Sequence, residues 1–296
     1  MKYRRLGKTN MNVSVVGVGT WQFGGEWGVN YTQSRVETIL HRAKELGINL
    51  IDTAECYGDH TSERFIGKAI KDQRQDWILA SKFGHKFHAN FDRTQHFDPA
   101  SVIQQLEDSL RALHTDYLDL YQFHSGSNAH FDNPDLWETL AKLKQAGKIR
   151  HVGLSVSPNT NLYQVDKASQ NGIDVVQVVY NRLDRQAEVE ILPSCIQQDL
   201  GVLARVPLAS GLLSGKYKPG DRFTNPDDVR SHRENEEIDA QLKEVGKIQL
   251  YEAPSGVDMA AWALAWCLRD SAVTAVIPGC KNSKQVEANV KAISLI

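Results

Sequence analysis

Short apolar runs alternate with amphipathic stretches along almost the whole chain. Residues 14–19 (SVVGVG) predict a first strand. Residues 33–46 place Val36, Ile39, Leu40, Ala43 and Leu46 on one helical face, and Gly47 closes that helix. A strand follows at 48–52, a helix at 61–70 and a strand at 77–81. A loop of about seventeen residues then leads to Asp98-Pro99, an N-cap and first-turn pair that opens a helix over 99–113. The beat continues with a strand at 117–123, a helix at 134–146, a strand at 150–155 and a helix at 158–170. Next come a strand at 174–180, a helix at 187–199 and a strand at 202–206. Residues 208–232, rich in Gly, Ser, Pro and Asp, interrupt it. Helices resume over 234–250 and 256–269, followed by a strand at 273–277 and a helix at 283–293. Eight strands in strict alternation with helices imply parallel pairing through right-handed crossovers. Eight units favour closure into a (β/α)8 barrel over an open sheet, and no linker divides residues 1–296.

Three of these runs end in a chemically capable side chain. INLIDTAECYG carries Asp52 at a strand end and Tyr57 five residues on, WILASKFG carries Lys82, and YLDLYQFH ends at His124. Strand ends that converge on one rim are how a parallel barrel assembles an active site. Neighbouring strands would bring Asp52 to Lys82, and a Lys beside a phenol lowers its pKa toward useful values. A His can donate a hydrogen bond to an oxygen that gains negative charge. Together these groups suit proton delivery to a carbonyl oxygen.

Composition narrows the field. The chain has 296 residues, 41% hydrophobic and 24% charged, with a formal net charge of −2 and no block of like charge. Nucleic acid is therefore not expected as a partner. Cys56, Cys195, Cys267 and Cys280 form no C-x-x-C pair or zinc spacing, so they read as reduced thiols, without a resident metal. The start, MKYRRLGKTN, lacks the apolar stretch of a secretory signal. The longest apolar run, 259–268, is too short to span a bilayer. A cytoplasmic location is the expectation, and the oligomeric state is left open.

The strings YRRLGKTNMNVSVVGVGTW, INLIDTAECYG, LASKFG, LEDSLRALHTDYLDLYQFH, LKQAGKIRHVGLS, PLASGLLSGKY and VIPGCKNSKQVEANV resemble the aldo-keto reductases in order, nearly end to end. The resemblance implies a TIM barrel whose bottom is closed by an N-terminal β-hairpin. It also implies a tetrad of Asp52, Tyr57, Lys82 and His124, with Tyr57 as proton donor and hydride from a nicotinamide. NADPH is the expected cofactor, with NADH as the alternative, and a small-molecule aldehyde or ketone the expected substrate.

The same resemblance assigns the cofactor residues. Gly19 and Thr20 would approach the nicotinamide side, and Ser155 and Gln177 its carboxamide. The family's usual Asn after that Ser is Val156 here, with Asn181 as a candidate replacement. Arg205 stands where an aromatic residue commonly stacks on the nicotinamide. Pro207, Leu208, Ser210, Gly211, Gly215 and Lys216 form the expected pyrophosphate loop. Gly279, Lys281, Gln285 and Asn289 form the expected adenosine 2′-phosphate site, where Ala288 replaces a usual Glu. Trp21, Trp27, Phe87, Phe91 and Phe123 are expected to line the substrate pocket. The chain ends soon after its last helix, which implies a more open pocket than in longer members. Two rivals stand beside this reading: a cofactor-binding regulatory protein with little turnover, and a metal-dependent barrel hydrolase or isomerase using Asp52, Glu55 and His124.

Overall fold

A two-residue period along each strand decides what faces the inside of the sheet. The computed structural model describes residues 1–296. An antiparallel hairpin of β1 (Tyr3–Arg5) and β2 (Asn12–Ser14) comes first. Eight parallel strands follow in one sheet: β3 (Val18–Gly19), β4 (Leu50–Asp52), β5 (Ile78–Phe83), β8 (Leu118–His124), β9 (Ile149–Ser155), β10 (Ile173–Val179), β11 (Gly201–Arg205) and β12 (Ala275–Val276). They neighbour one another in chain order. The Gly17 N–H donates to Val276 O at 2.8 Å, and the Val276 N–H donates to Val15 O at 3.0 Å. The last strand thus meets the first and the barrel closes.

Leu50, Ala80, Leu120, Val175, Leu203 and Ala275 share one buried apolar cluster with Leu6 and Val13 of the hairpin region. The hairpin is therefore a plug in the lower end of the barrel. Two residues further along the same strands the interior turns polar, with Asp52, Lys82, Gln122 and Gln177. Alternation holds both sets on the inner face, so the switch from apolar to polar marks a functional layer above a packed one.

Helices cover the outer face, and their apolar stripes form the largest core. They are α1 (Gln33–Glu45), α2 (Thr61–Ile70), α3 (Pro99–Leu113), α5 (Pro134–Gln145), α6 (Leu162–Asp166), α7 (Ile191–Gln197), α9 (Met259–Arg269) and α10 (Ser283–Val290). Two lie outside the repeat, the short α4 (Asn128–Phe131) and α8 (Asn235–Tyr251). Asp98 accepts from Ser101 N at 3.0 Å and caps α3, as the Asp-Pro pair foretells. No helix is long and apolar enough to cross a membrane. All four cysteines are free and buried.

The structure departs from the expected elements at four places. The first strand, expected over 14–19, keeps only Val18–Gly19; Ser14 pairs within the hairpin, and Val16 makes a single bridge to Val276. The loop after β5 contains an antiparallel hairpin, β6 (His85–Ala89) and β7 (Asp92–Gln95). The helix expected over 158–170 shrinks to α6 and a 3-10 turn at Ser169–Asn171. Asn159, assigned to that helix, is instead tied to Val179 N and Asp184. The helix expected over 187–199 shrinks to α7, whose Pro193 has no N–H and is tolerated only in a first turn.

Candidate active site

At the upper rim, β4, β5 and β8 hand their terminal side chains to one buried spot. Asp52 and Lys82 come from adjacent strands, and Lys82 Nζ donates to Asp52 Oδ2 at 2.7 Å and to Thr53 O at 2.8 Å. The same ammonium lies 3.3 Å from the Tyr57 hydroxyl. Tyr57 sits on the turn after β4, with its ring 6.3 Å from that of His124 at the end of β8. The four side chains are thus brought together. Gly58 (φ +68) and Gly24 make the turn possible, since a Cβ on Gly58 would lie 2.5 Å from Gly24 O.

An ion pair this deep is tolerable only when its remaining lone pairs are satisfied. Gln122 and Gln177 do that, donating to Asp52 Oδ1 at 3.0 and 2.8 Å. A Cβ on Gly153 would lie 2.7 Å from the Gln122 side chain, so this glycine makes room for it. Gln122 was not among the expected site residues. Its signal was a polar side chain at an inward position of an apolar strand, two before His124. Gln177, expected at the carboxamide, donates from its amide nitrogen to Asp52 and Gln122.

Burial, rather than the neighbouring cation, sets the resting state of the phenol. Desolvation pushes the Tyr57 pKa up to about 12 against the pull of Lys82. Lys82 does pull the phenol down, as expected, but burial of the whole cluster outweighs it. Burial also opposes the charge on Lys82, yet Asp52 and Tyr57 hold the ammonium above its ordinary value. Desolvation, with help from the charges of His85, Lys82, Arg205 and Arg93, holds His124 well below the usual imidazole range. The cluster therefore presents a protonated phenol, a charged ammonium and a neutral imidazole.

Asp52 is fully committed to Lys82 and the two glutamines, so the metal set of Asp52, Glu55 and His124 does not assemble. Glu55 does lie near His124, and its carboxyl group accepts from His85 N at 2.9 Å.

The expected cofactor residues fall into three groups. Around β11, Arg205 lies at the rim, its guanidinium donating to Val156 O at 3.2 Å, while burial lowers its pKa. The following loop has positive φ at Val206 (53°), Ala209 (47°), Ser210 (57°), Gly211 (91°) and Gly215 (73°). A β-branched residue at positive φ costs energy and points to a functional constraint. Backbone turns of this kind aim N–H groups into an anion-sized concavity. Pro207 and Leu208 lie within this loop, and Lys216 follows it. In the second group, around α10, Asn282 caps the helix and Gln285 folds back to accept from Lys281 N at 2.7 Å. Burial and the charge of Arg230 lower the Lys281 pKa, with a further contribution from Lys216. These cations raise the local positive potential. Asn289 is buried on the same helix, and Gly279 lies against Gln22. In the third group, Gly19 pairs beside Gly279, and the Ser155 backbone pairs with that of His124. The Thr20 hydroxyl donates to Asp52 O at 2.9 Å and so fastens the loop to β4. Asn181 accepts from Leu183 N and Asp184 N and donates to Val206 O.

Of the expected pocket residues, Trp21 stacks on Tyr57 at 6.3 Å and Trp27 meets Trp21 edge-on at 5.4 Å. Phe87 and Phe91 lie on the β6–β7 hairpin, and Phe91 packs on His232 at 4.7 Å. Phe123 is a correction. It is fully buried among Phe83, Phe97, Phe131 and Trp137, on the outer wall of β8, because it alternates with the inward Gln122 and His124. The organising residue of this mouth is Glu26, which the sequence reading did not single out. It is fully buried and accepts from Phe91 N at 3.0 Å, from the Trp21 indole and from the Arg93 guanidinium. Its carbonyl also accepts from Val229 N at 3.0 Å. Three segments, 21–29, 85–95 and 225–232, are tied together there.

Comparison with known proteins agrees with this fold. The model of the Aldo/keto reductase family matches residues 15–295. An uncharacterized oxidoreductase of Bacillus subtilis, YqkF, is 33% identical, over 99% of this chain and 91% of its own. The NADH-specific methylglyoxal reductase of Escherichia coli is 33% identical, over 100% of this chain and 94% of its own. Among solved structures, the holo form of aldo-keto reductase AKR11C1 from Bacillus halodurans superposes with a TM-score of 0.82. It is 32% identical, covering 99% of this chain and 91% of its own.

Proposed function

Since the chain belongs to the aldo/keto reductase family, we propose that it reduces an aldehyde or ketone to the alcohol, with Tyr57 as proton donor and NADPH as the preferred cofactor. The observation that carries the reading is the Tyr57 phenol oxygen 3.3 Å from an ammonium that is itself held by Asp52. A bound nicotinamide dinucleotide would supply the hydride. Tyr57 and His124 then bind the carbonyl oxygen, and Tyr57 gives up its proton as negative charge develops there. Lys82 matters at that moment, because it stabilises the phenolate that the transfer leaves behind. Trp21 presents an apolar face beside the phenol, with Trp27 packed against it, and keeps water from the reacting carbon. The positive-φ loop after β11 fits a pyrophosphate, and Lys281 at the N-terminus of α10 fits a further phosphate. That last feature favours NADPH, whereas the Escherichia coli relative is named for NADH, so the two cofactors must be compared directly.

The test follows absorbance of NADPH and NADH in parallel against a panel of aldehydes, ketones, sugars and quinones. Tyr57→Phe should lower turnover by about 10²–10⁴-fold and leave cofactor affinity, read by fluorescence titration, unchanged. A Tyr57→Phe enzyme of full activity would remove the phenol from the reaction.

A further inference from the structure

The inference that follows rests on the reading of His124 as a hydrogen-bond donor to the substrate oxygen. A neutral imidazole has one N–H, and only the nitrogen that carries it can donate. What fixes the proton is the partner of the other nitrogen. In this site His124 Nδ1 faces Cys56 Sγ at 3.8 Å, within the longer reach of a sulfur hydrogen bond. Cys56 is fully buried, and desolvation with the nearby Glu55 raises its pKa well above the ordinary thiol value. The sulfur therefore keeps its proton. Sulfur is a weak acceptor and a neutral imidazole nitrogen a good one, so the contact is better made with the thiol donating.

We propose that Cys56 is a positioning residue: its S–H donates to His124 Nδ1 and so leaves the ring proton on Nε2, the nitrogen free to face the substrate. The backbone supports the arrangement. Cys56 lies on the turn that carries Tyr57, and that turn is closed by Tyr57 N to Ala54 O at 3.2 Å and Gly58 N to Cys56 O at 3.0 Å. The His124 carbonyl is held by His85 Nε2 at 2.7 Å. One turn thus fixes both the acid and the tautomer of its partner. Glu55, Cys56 and His124 also have ligand atoms within 4.8 Å of one another, which invites a metal reading. The positive charges of Lys82, Arg93 and Arg205 all act on His124, and this field opposes a divalent cation. The thiol bond suits the same geometry without that cost.

The test is ¹⁵N NMR of histidine-labelled enzyme at neutral pH, with the His124 signals assigned by their loss in His124→Gln. The wild type should show a pyrrole-type Nε2 and a pyridine-type Nδ1. Cys56→Ala and Cys56→Val should both populate the second tautomer and lower kcat by about twofold, as loss of one ordinary hydrogen bond lets a tautomer ratio of about 5:1 fall to about 1:1, with KM for NADPH unchanged. The Val variant fills the space of the thiol without its proton, so packing alone would let it restore the rate. A protonated Nδ1 in the wild type, or a Val variant with a single tautomer and full kcat, overturns the proposal. The NMR readout needs no turnover. An active Tyr57→Phe enzyme would therefore sink the reaction scheme and leave the tautomer result standing, and the reverse outcome would remove Cys56 alone.

Discussion

Glu55 is a carboxyl group that the fold keeps as an acid. Burial, with the charge of Glu63 adding to it, pushes its pKa up to about 8 against the His85 N–H bond. In the unfolded chain it ionises near about 4.3. Between those values the native state binds more protons than the unfolded state, so this group's contribution to stability falls as pH rises across the window. Glu55→Gln removes that titration. Its denaturation midpoint should decline less than that of the wild type between about pH 5 and pH 8, and an unchanged decline would place the pH dependence elsewhere. Lys281 offers a second residue-scale expectation. Its charge, already crowded by Arg230 and Lys216, gains most from an added phosphate. Lys281→Ala should weaken NADPH by about tenfold more than NADH in parallel titrations, as loss of a charge-assisted contact would. Equal weakening would remove Lys281 from a phosphate role. Asp52, Lys82 and His124 were legible in the sequence because each ends an apolar run. The protonation state of Tyr57 was not, since it depends on how completely the folded barrel excludes water.

Among the elements, α1, α2, α3 and α5 matched their expected ranges within a residue or so, because each carries a 3.6-residue apolar stripe, with side-chain caps at α1, α3 and α5 and a Gly stop after α1 and α5. The β6–β7 hairpin was missed for a physical reason. Its turn runs through Asn90-Phe91, with Phe91 at φ +65, and lacks the Asn-Gly or Asp-Gly signal of a tight turn. Its stability comes from tertiary contacts, chiefly Arg93 and the Phe91 N–H on Glu26. Glu26→Gln should therefore leave the barrel folded but loosen residues 85–95, seen as faster hydrogen exchange there. KM for carbonyl substrates should rise several-fold. Exchange unchanged from the wild type would show that the hairpin stands without that carboxylate.

For the whole molecule, the barrel was readable from the beat of eight strands, but the layering inside it was not. Which polar residues lie above which apolar ones depends on the shear of the closed sheet, and no single strand carries that information. The consequence is a division of labour along the axis. Leu6 plugs the lower end among Leu50, Ala80, Leu120 and Val175, far from the chemistry. Leu6→Ala should cost about 2–5 kcal/mol of stability, read as a lower denaturant midpoint. The kcat of the folded enzyme should stay unchanged, and a matching fall in kcat would mean that the two ends are mechanically coupled.

The knot at Glu26 has a consequence for how such an enzyme changes its appetite. Its three loops are distant in sequence yet share one anchor, so a foreign version of any one of them arrives without its moorings. Grafting a relative's selectivity onto this barrel would require moving all three segments and their anchoring acid as a single cassette.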